Sequence, residues 1–291
     1  EVSKVDIRMK SDRKEVIRFI QSIIPKSFKC DFSMQIVKDM DGRFYLLNDK
    51  PHVDHILKIK LLFLSALQQF QFWVNPNDNK IRTDLNSLNI HNLSNLLTLE
   101  TYEREMLKLI NQSAYLRKER LEIFRKSLTF IRSLPVSLID NKKNPLESVD
   151  NLLIYLYNYD GFLGDPFHKK RNYFIMSVMR YFSVVLENNP NSEFKPVTEL
   201  SVNPAIDYNI PPILDKIGII KLSPEIKANI ENSQVFYANS YTELVIRAYS
   251  YIAMLKFGKV TNLNQEILDG NLFFNRANFE IKPLLCLTVN Y

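Results

Sequence analysis

Glycine is scarce in this chain, with 6 among 291 residues. None falls in a G-x-G-x-x-G or G-x-x-x-x-G-K pattern. Dinucleotide and P-loop folds need glycine where the backbone closes on phosphate, so neither is expected. Cysteine is scarcer still. Cys30 and Cys286 lie far apart, form no C-x-x-C and supply no disulfide framework. Both read as small buried apolar residues in a reducing compartment. The four histidines, His52, His55, His91 and His168, complete no H-E-x-x-H or other ligand spacing, so no metal site is expected. Long apolar runs are missing too. The most apolar stretch, Tyr173 to Leu186, is too short to cross a bilayer and carries Arg180. No signal peptide is visible where the sequence begins. The expectation is a soluble, intracellular, cytoplasmic protein with no membrane partner.

What is present can build a core. Hydrophobic residues make up 46% and aromatics 12%, which argues against a disordered or fibrous chain. The length suits one large domain, 1–291, or two small ones. Net charge is +6, a mild basicity that permits anionic ligands without naming one. Much of it is local. Arg117, Lys118, Arg120, Arg125, Lys126 and Arg132 fall on one predicted helix, and His168-Lys169-Lys170-Arg171 form a second cluster.

Helical signals dominate. Asp12 and Glu15 read as a capping box opening a helix with Val16, Phe19, Ile20 and Ile23 on its apolar face, stopped by Pro25. Gln35 to Leu47 reads as a hairpin turning at Asp41-Gly42. His55 to Phe70 is densely apolar and helical. Leu99, Tyr102, Met106, Leu109 and Ile110 share one face of a further helix. Leu116, Leu121, Phe124, Leu128 and Ile131 do so in the basic one. Asn141 to Pro145 reads as a linker, and Val149 to Tyr157 as a short buried helix. Phe174 to Leu186 is apolar nearly all round, as in a central core helix. Ser223-Pro224-Glu225 starts another helix, Ser240 and Glu243 box the next, and Asn262 is expected to open the last, through Phe273. The predicted architecture is mainly α, a single helical domain with one small β-hairpin.

Four segments carry candidate chemistry. Phe70-Gln71-Phe72-Trp73 holds the only tryptophan; it suits base stacking and equally suits core packing. Asp165 to Asn172 precedes the core helix. Its basic side chains and free N–H groups suit a phosphate, or simply a solvated basic turn. Asp207, in Asp207-Tyr208-Asn209-Ile210-Pro211-Pro212-Ile213-Leu214, is a carboxylate at a helix mouth. It fits a helix cap as well as a reacting group. Glu243-Leu244-Val245-Ile246-Arg247 suits an i,i+4 ion pair, or an arginine reaching an anion.

The order of these segments resembles the queuosine salvage family, the queuosine 5′-phosphate N-glycosidases. That family has an F-S-F-W-like segment, an F-Y-K-R-A-Q-like segment, D-Y-R-x-P-Q-x-L, E-V-E-I-R and a closing I-L-L-D-Y-x-L-W stretch. The chain offers Phe70 to Trp73, Phe167 to Asn172, Asp207 to Leu214, Glu243 to Arg247 and Ile267-Leu268-Asp269-Gly270-Asn271-Leu272-Phe273. Gly218 to Glu225 is similar to the family's L-G-x-L-x-Y-S-x-E. The likeness runs from Phe70 onward, and five motifs in order are more specific than any one. Asn209 stands where the family has Arg, Pro212 where it has Gln, and Val245 where it has Glu. Gln69 and Ala66 also differ, and Pro283 to Thr288 replaces a basic ending. These differences bear on substrate identity more than on fold.

The resemblance implies a fold like that of helix-hairpin-helix DNA glycosylases and hydrolysis of a C1′–N bond, releasing queuine from queuosine 5′-phosphate. Breaking that bond builds positive charge on the ribose, which a carboxylate stabilises electrostatically or as a nucleophile. Asp207 is then the catalytic residue. Phe72 and Trp73 hold the base with Tyr208 beside them, Lys169 and Lys170 hold the 5′-phosphate, and Arg247 supports the phosphate or Asp207. No cofactor or metal is implied, and the proton donor is not identified. The alternatives are a nucleic-acid-binding or repair protein of the same fold, tracking a backbone with the Arg117–Arg132 helix, and a non-catalytic relative with a ligand pocket. Against the former, Glu119 and Glu122 interrupt the basic face.

Overall fold

The structure is a computed structural model and describes residues 2–25, 30, 49–72, 85–112, 116–140, 143–275 and 282–291. It is mainly α, as the sequence predicts. The helices are α1 (Lys4–Ile23), α2 (His55–Leu67), α3 (Ser87–Asn92), α4 (Leu99–Gln112), α5 (Arg117–Arg132), α6 (Pro145–Tyr157), α7 (Lys169–Asn188), α8 (Ile210–Lys216), α9 (Pro224–Glu231), α10 (Tyr241–Thr261) and α11 (Gln265–Asn275). The predicted hairpin at 35–47 and Trp73 lie outside the described residues. Instead, a two-residue parallel pairing joins β1 (Phe236–Tyr237) to β2 (Cys286–Leu287). No described helix is long and apolar enough to cross a membrane.

Local chemistry sets most helix ends. Asp54 accepts from Leu57 N at 3.0 Å and starts α2. Asn144, with Pro145 at the first position, starts α6. Ser223 and Ser240 cap α9 and α10 as predicted. Two boundaries differ from expectation. α1 begins a full two turns before Asp12, capped by Ser3, so Asp12 sits in mid-helix. It is buried there, accepting from Arg171 Nη1 at 2.9 Å and Tyr157 Oη at 2.8 Å. A long-range pair therefore explains that acid better than a cap. Asn262 ends α10 in a left-handed conformation instead of opening α11. α11 is started by Asn264, whose side chain accepts from Ile267 N at 3.0 Å.

The apolar side chains form two clusters. The first joins Val5 and Met9 of α1 to α2, α4, α5, α6 and most of α7. In α4 the buried residues are Tyr102, Met106 and Ile110, spaced by four as one helical face requires. The second joins Val16 and Ile20 of α1 to α8, α10 and α11, with Leu284 and Leu285. α7 is buried on all sides along most of its length, as a central helix must be. Ala205 belongs to the first cluster and Ile206 to the second. Likewise Phe167 belongs to the second and Phe174 to the first. The segment before Asp207 and the start of α7 thus both cross the seam between the cores.

Candidate active site

The seam is polar, and its centre is Arg247 of α10. That side chain is fully buried. Nη1 and Nη2 donate to Asp165 Oδ1 and Oδ2 at 2.7 and 2.9 Å, a bidentate pair. Nε and Nη2 donate to Ile206 O at 3.1 and 2.8 Å, and Nη1 also reaches Glu243 Oε1 at 3.3 Å. The guanidinium lies 3.7 Å from the Tyr291 ring centroid and 4.6 Å from that of Phe167. Burial is the largest single influence and opposes its charge, but Asp165, Tyr291 and Glu243 together outweigh it and hold its pKa above the ordinary value. With its nitrogens committed this way, Arg247 meets an anion belonging to the protein. It positions the carbonyl immediately before Asp207.

Asp207 leads into α8, whose N-cap is Asn209. Its Oδ1 accepts from Asn209 N at 2.8 Å and Ile210 N at 3.3 Å, and its Oδ2 from Asn209 Nδ2 at 3.4 Å, so the carboxylate acts as a cap by turning the chain into the helix. It is half-buried and does not sink into either core. Tyr208 is buried beside it, and its carbonyl accepts from Leu284 N at 2.8 Å.

The start of α7 is arranged differently from expectation. Asp165 accepts from Phe167 N at 3.2 Å and from Lys169 N at 2.8 Å. His168 takes a left-handed conformation, φ 54°, to enter the helix. Those two amides are therefore used by Asp165 and do not await a phosphate. The cluster is no solvated turn either, since Lys169, Lys170 and Arg171 are all buried. Lys169 Nζ donates to Gln69 O at 2.8 Å. Burial pulls its pKa down, while the charges of Asp207 and Asp269 push it back up. Lys170 Nζ donates to Val289 O and stands 4.2 Å from the Phe70 ring centroid. Burial first, then the charges of Lys169 and Arg120, hold its pKa well below the usual lysine value.

The aromatic segment follows α2 and is held by Arg120 of α5. Expected on the basic surface, Arg120 is buried instead, donating to the carbonyls of Gln68 (2.9 Å), Phe70 (2.5 Å) and Gln71 (2.9 Å). Gln71 is left-handed at φ 30°, and a chain leaving a helix this way has carbonyls that need donors. Phe70 is fully buried between Arg120 and Lys170, whereas Phe72 is half-buried. Gln71 Oε1 accepts from Thr288 N at 3.2 Å, tying the segment to residues 282–291.

Asp269 of α11 was not singled out by sequence reading. α11 packs against α7 and α8, and the Asp269 carboxyl feels the charges of Asp207 and Lys169. Burial, and then the Asp207 charge, push its pKa up to about 7. The signal was an acid within the Ile267–Phe273 stretch, with no local feature to mark it as special. Asp165 and Arg120 were missed for the same reason, because their partners are distant in sequence. The fold thus gathers Asp207, Lys169, Lys170, Tyr208 and Arg247 at one seam and adds Asp269. Among the described residues no group of three or more His, Cys, Asp or Glu side chains is placed to hold a metal ion. No family model and no curated protein matches this chain.

Proposed function

We propose that the chain is an N-glycosidase that hydrolyses the C1′–N bond of a modified nucleotide, with queuosine 5′-phosphate the first substrate and queuine the released base. The observation that carries this reading is the joining of the segments by one buried side chain: Arg247 clamps the carbonyl before Asp207 and, through Asp165, the start of the helix that bears Lys169 and Lys170. A helix cap alone needs none of these neighbours. A reaction that builds positive charge on a ribose needs a fixed carboxylate, and Arg247 fixes this one by clamping Ile206 O.

In this reading Asp207 faces C1′ and stabilises the oxocarbenium-like transition state. Phe72 and Trp73 hold the base, with Tyr208 alongside. Lys169 and Lys170 supply positive potential for the 5′-phosphate, and Lys169, with one of three donors used on Gln69, offers the more direct contact. Arg247 acts as a positioning residue. No metal or organic cofactor enters the scheme. The free cysteines, Cys30 and Cys286, accord with a reducing, cytoplasmic setting.

The test is incubation with a panel of nucleosides and 5′-monophosphates, with free base read by mass spectrometry. Release of queuine by the parent and none by a folded Asp207→Asn variant is the expected result; release by both at one rate removes Asp207 from the chemistry. Turnover of no panel member alongside saturable binding would mark a non-catalytic relative. The nucleic-acid reading draws on exposed Arg117, Lys118 and Arg125 of α5. It is weakened by the inward turn of Arg120 and by the pairing of Lys126 with Glu122 and of Arg132 with Glu103. Tight, salt-sensitive retardation of tRNA or DNA in a gel would favour it.

A further inference from the structure

A groove opens where the start of α1, the first turns of α6 and the short helical turn Lys195–Glu199 meet. Its cavity volume is about 520 Å³, within the range of small-molecule sites. Val149, Leu153, Val197 and Leu200 form an apolar floor that belongs to the first core. Val2 and Pro196, both exposed, add apolar sides. The charge lining it is acidic. Asp6, Glu147, Asp150 and Glu199 face it, and Lys4 is the one cation among the described lining residues, in a chain whose net charge is +6. No residue of this lining belongs to the seam.

Two of the acids hold the walls together. Asp150 accepts from Ser3 Oγ at 2.5 Å and from Lys4 N at 2.9 Å, which ties α1 to α6. Asp6 pairs with Lys10 at 2.6 Å and accepts from Ser201 N at 2.8 Å, which ties α1 to the chain leaving the turn. Lys4 Nζ is committed to Asn151 Oδ1 at 2.7 Å. Glu199 differs from these: it is exposed and makes no hydrogen bond or ion pair with any described residue. Glu147 stands exposed on the α6 wall. A carboxylate beside an apolar wall attracts a cation more strongly than one in open water, because its field is less screened there. An apolar body laid on the floor removes that surface from water.

We propose that this groove binds a small organic cation, an ammonium head on an aliphatic body. The head sits at Glu199 and Glu147, and the body lies against Val149, Leu153, Val197 and Leu200.

The experiment titrates the full chain with n-octylammonium chloride and, separately, with sodium octanoate at neutral pH, followed by calorimetry and methyl NMR. Octylammonium is expected to bind saturably and to shift the methyl signals of Val149, Leu153, Val197 and Leu200, while octanoate does neither. Changing Glu147→Gln and Glu199→Gln together is expected to weaken octylammonium binding about tenfold. Both side chains are exposed, and glutamine suits the first turn of α6 as glutamate does, so the fold is retained. Changing Glu225→Gln and Glu231→Gln on α9 makes the same charge change outside the groove and should leave binding as in the parent. Absence of saturable binding, equal binding of octanoate, methyl shifts confined to other residues, or equal losses in the two double variants would overturn the proposal. A parent chain that sediments as a dimer, broken up by the Glu147 and Glu199 changes, would make a second copy the occupant and overturn it as well. None of these results bears on base release at the seam, so the N-glycosidase reading stands or falls separately.

Discussion

Asp207 was ambiguous as a residue, and the structure explains why. The geometry that makes a good cap also makes a good electrostatic catalyst, because both need a carboxylate held at a helix mouth with an oxygen left outward. Stability separates the two roles. Asparagine also caps, so Asp207→Asn leaves thermal stability nearly unchanged, while Asp207→Ala costs about 1 kcal/mol in denaturant unfolding. A large loss with Asn places this carboxylate in the packing instead. Asp269 has the opposite signature. Its pKa rises from 3.8 to about 7 on folding, so the folded chain binds this proton more tightly than the unfolded one. Its contribution to stability is therefore full below 3.8 and is lost as pH rises through about 7. Asp269→Asn removes that liability. Its melting temperature is expected to exceed the parent's at mildly alkaline pH and to match it at strongly acidic pH; the reverse order refutes the shift. Asp207 could be picked out from its own neighbours in sequence. Asp269 could not, because the group that perturbs it lies on another helix.

Helices were the most legible elements. The periodic faces of α4, α5 and α7 and the caps of α9 and α10 depend on residues three or four apart, which sequence displays directly. The start of α1 was misplaced because Asp12 reads locally as a cap, whereas in the fold it is bound by Arg8 on its own helix and by Arg171 from α7. The same limit applied to Arg247. Its i,i+4 relation to Glu243 was readable, while the stronger partner, Asp165, precedes a different helix. Arg247→Met should destabilise the chain by about 3–5 kcal/mol, since it leaves Asp165 and Glu243 as uncompensated buried charges. Urea unfolding measures this, and a cost under about 1 kcal/mol contradicts the buried-network account.

At the scale of the whole molecule, the two apolar cores meet along a seam crossed by α1, by the start of α7 and by the segment before Asp207, and lined there by buried charges. Residues 282–291 help close it: Thr288 N reaches Gln71, Val289 O takes Lys170, Asn290 reaches Gly164 and Tyr291 stacks on Arg247 while donating to Glu243. Removing residues 288–291 should lower the melting temperature and slow base release together, as it uncovers Arg247 and frees Lys170. An unchanged melting temperature would show that these contacts add nothing. The sequence by itself determined a helical chain, most of its helix ends and an ordered set of candidate groups, because turns, caps and apolar faces are set within a few residues. Tertiary structure alone decided which cations are buried, which acid meets Arg247 and which carboxyl feels the Asp207 charge. Those pairings join residues far apart in the chain, and a charge finds its partner only when the helices carrying both have packed.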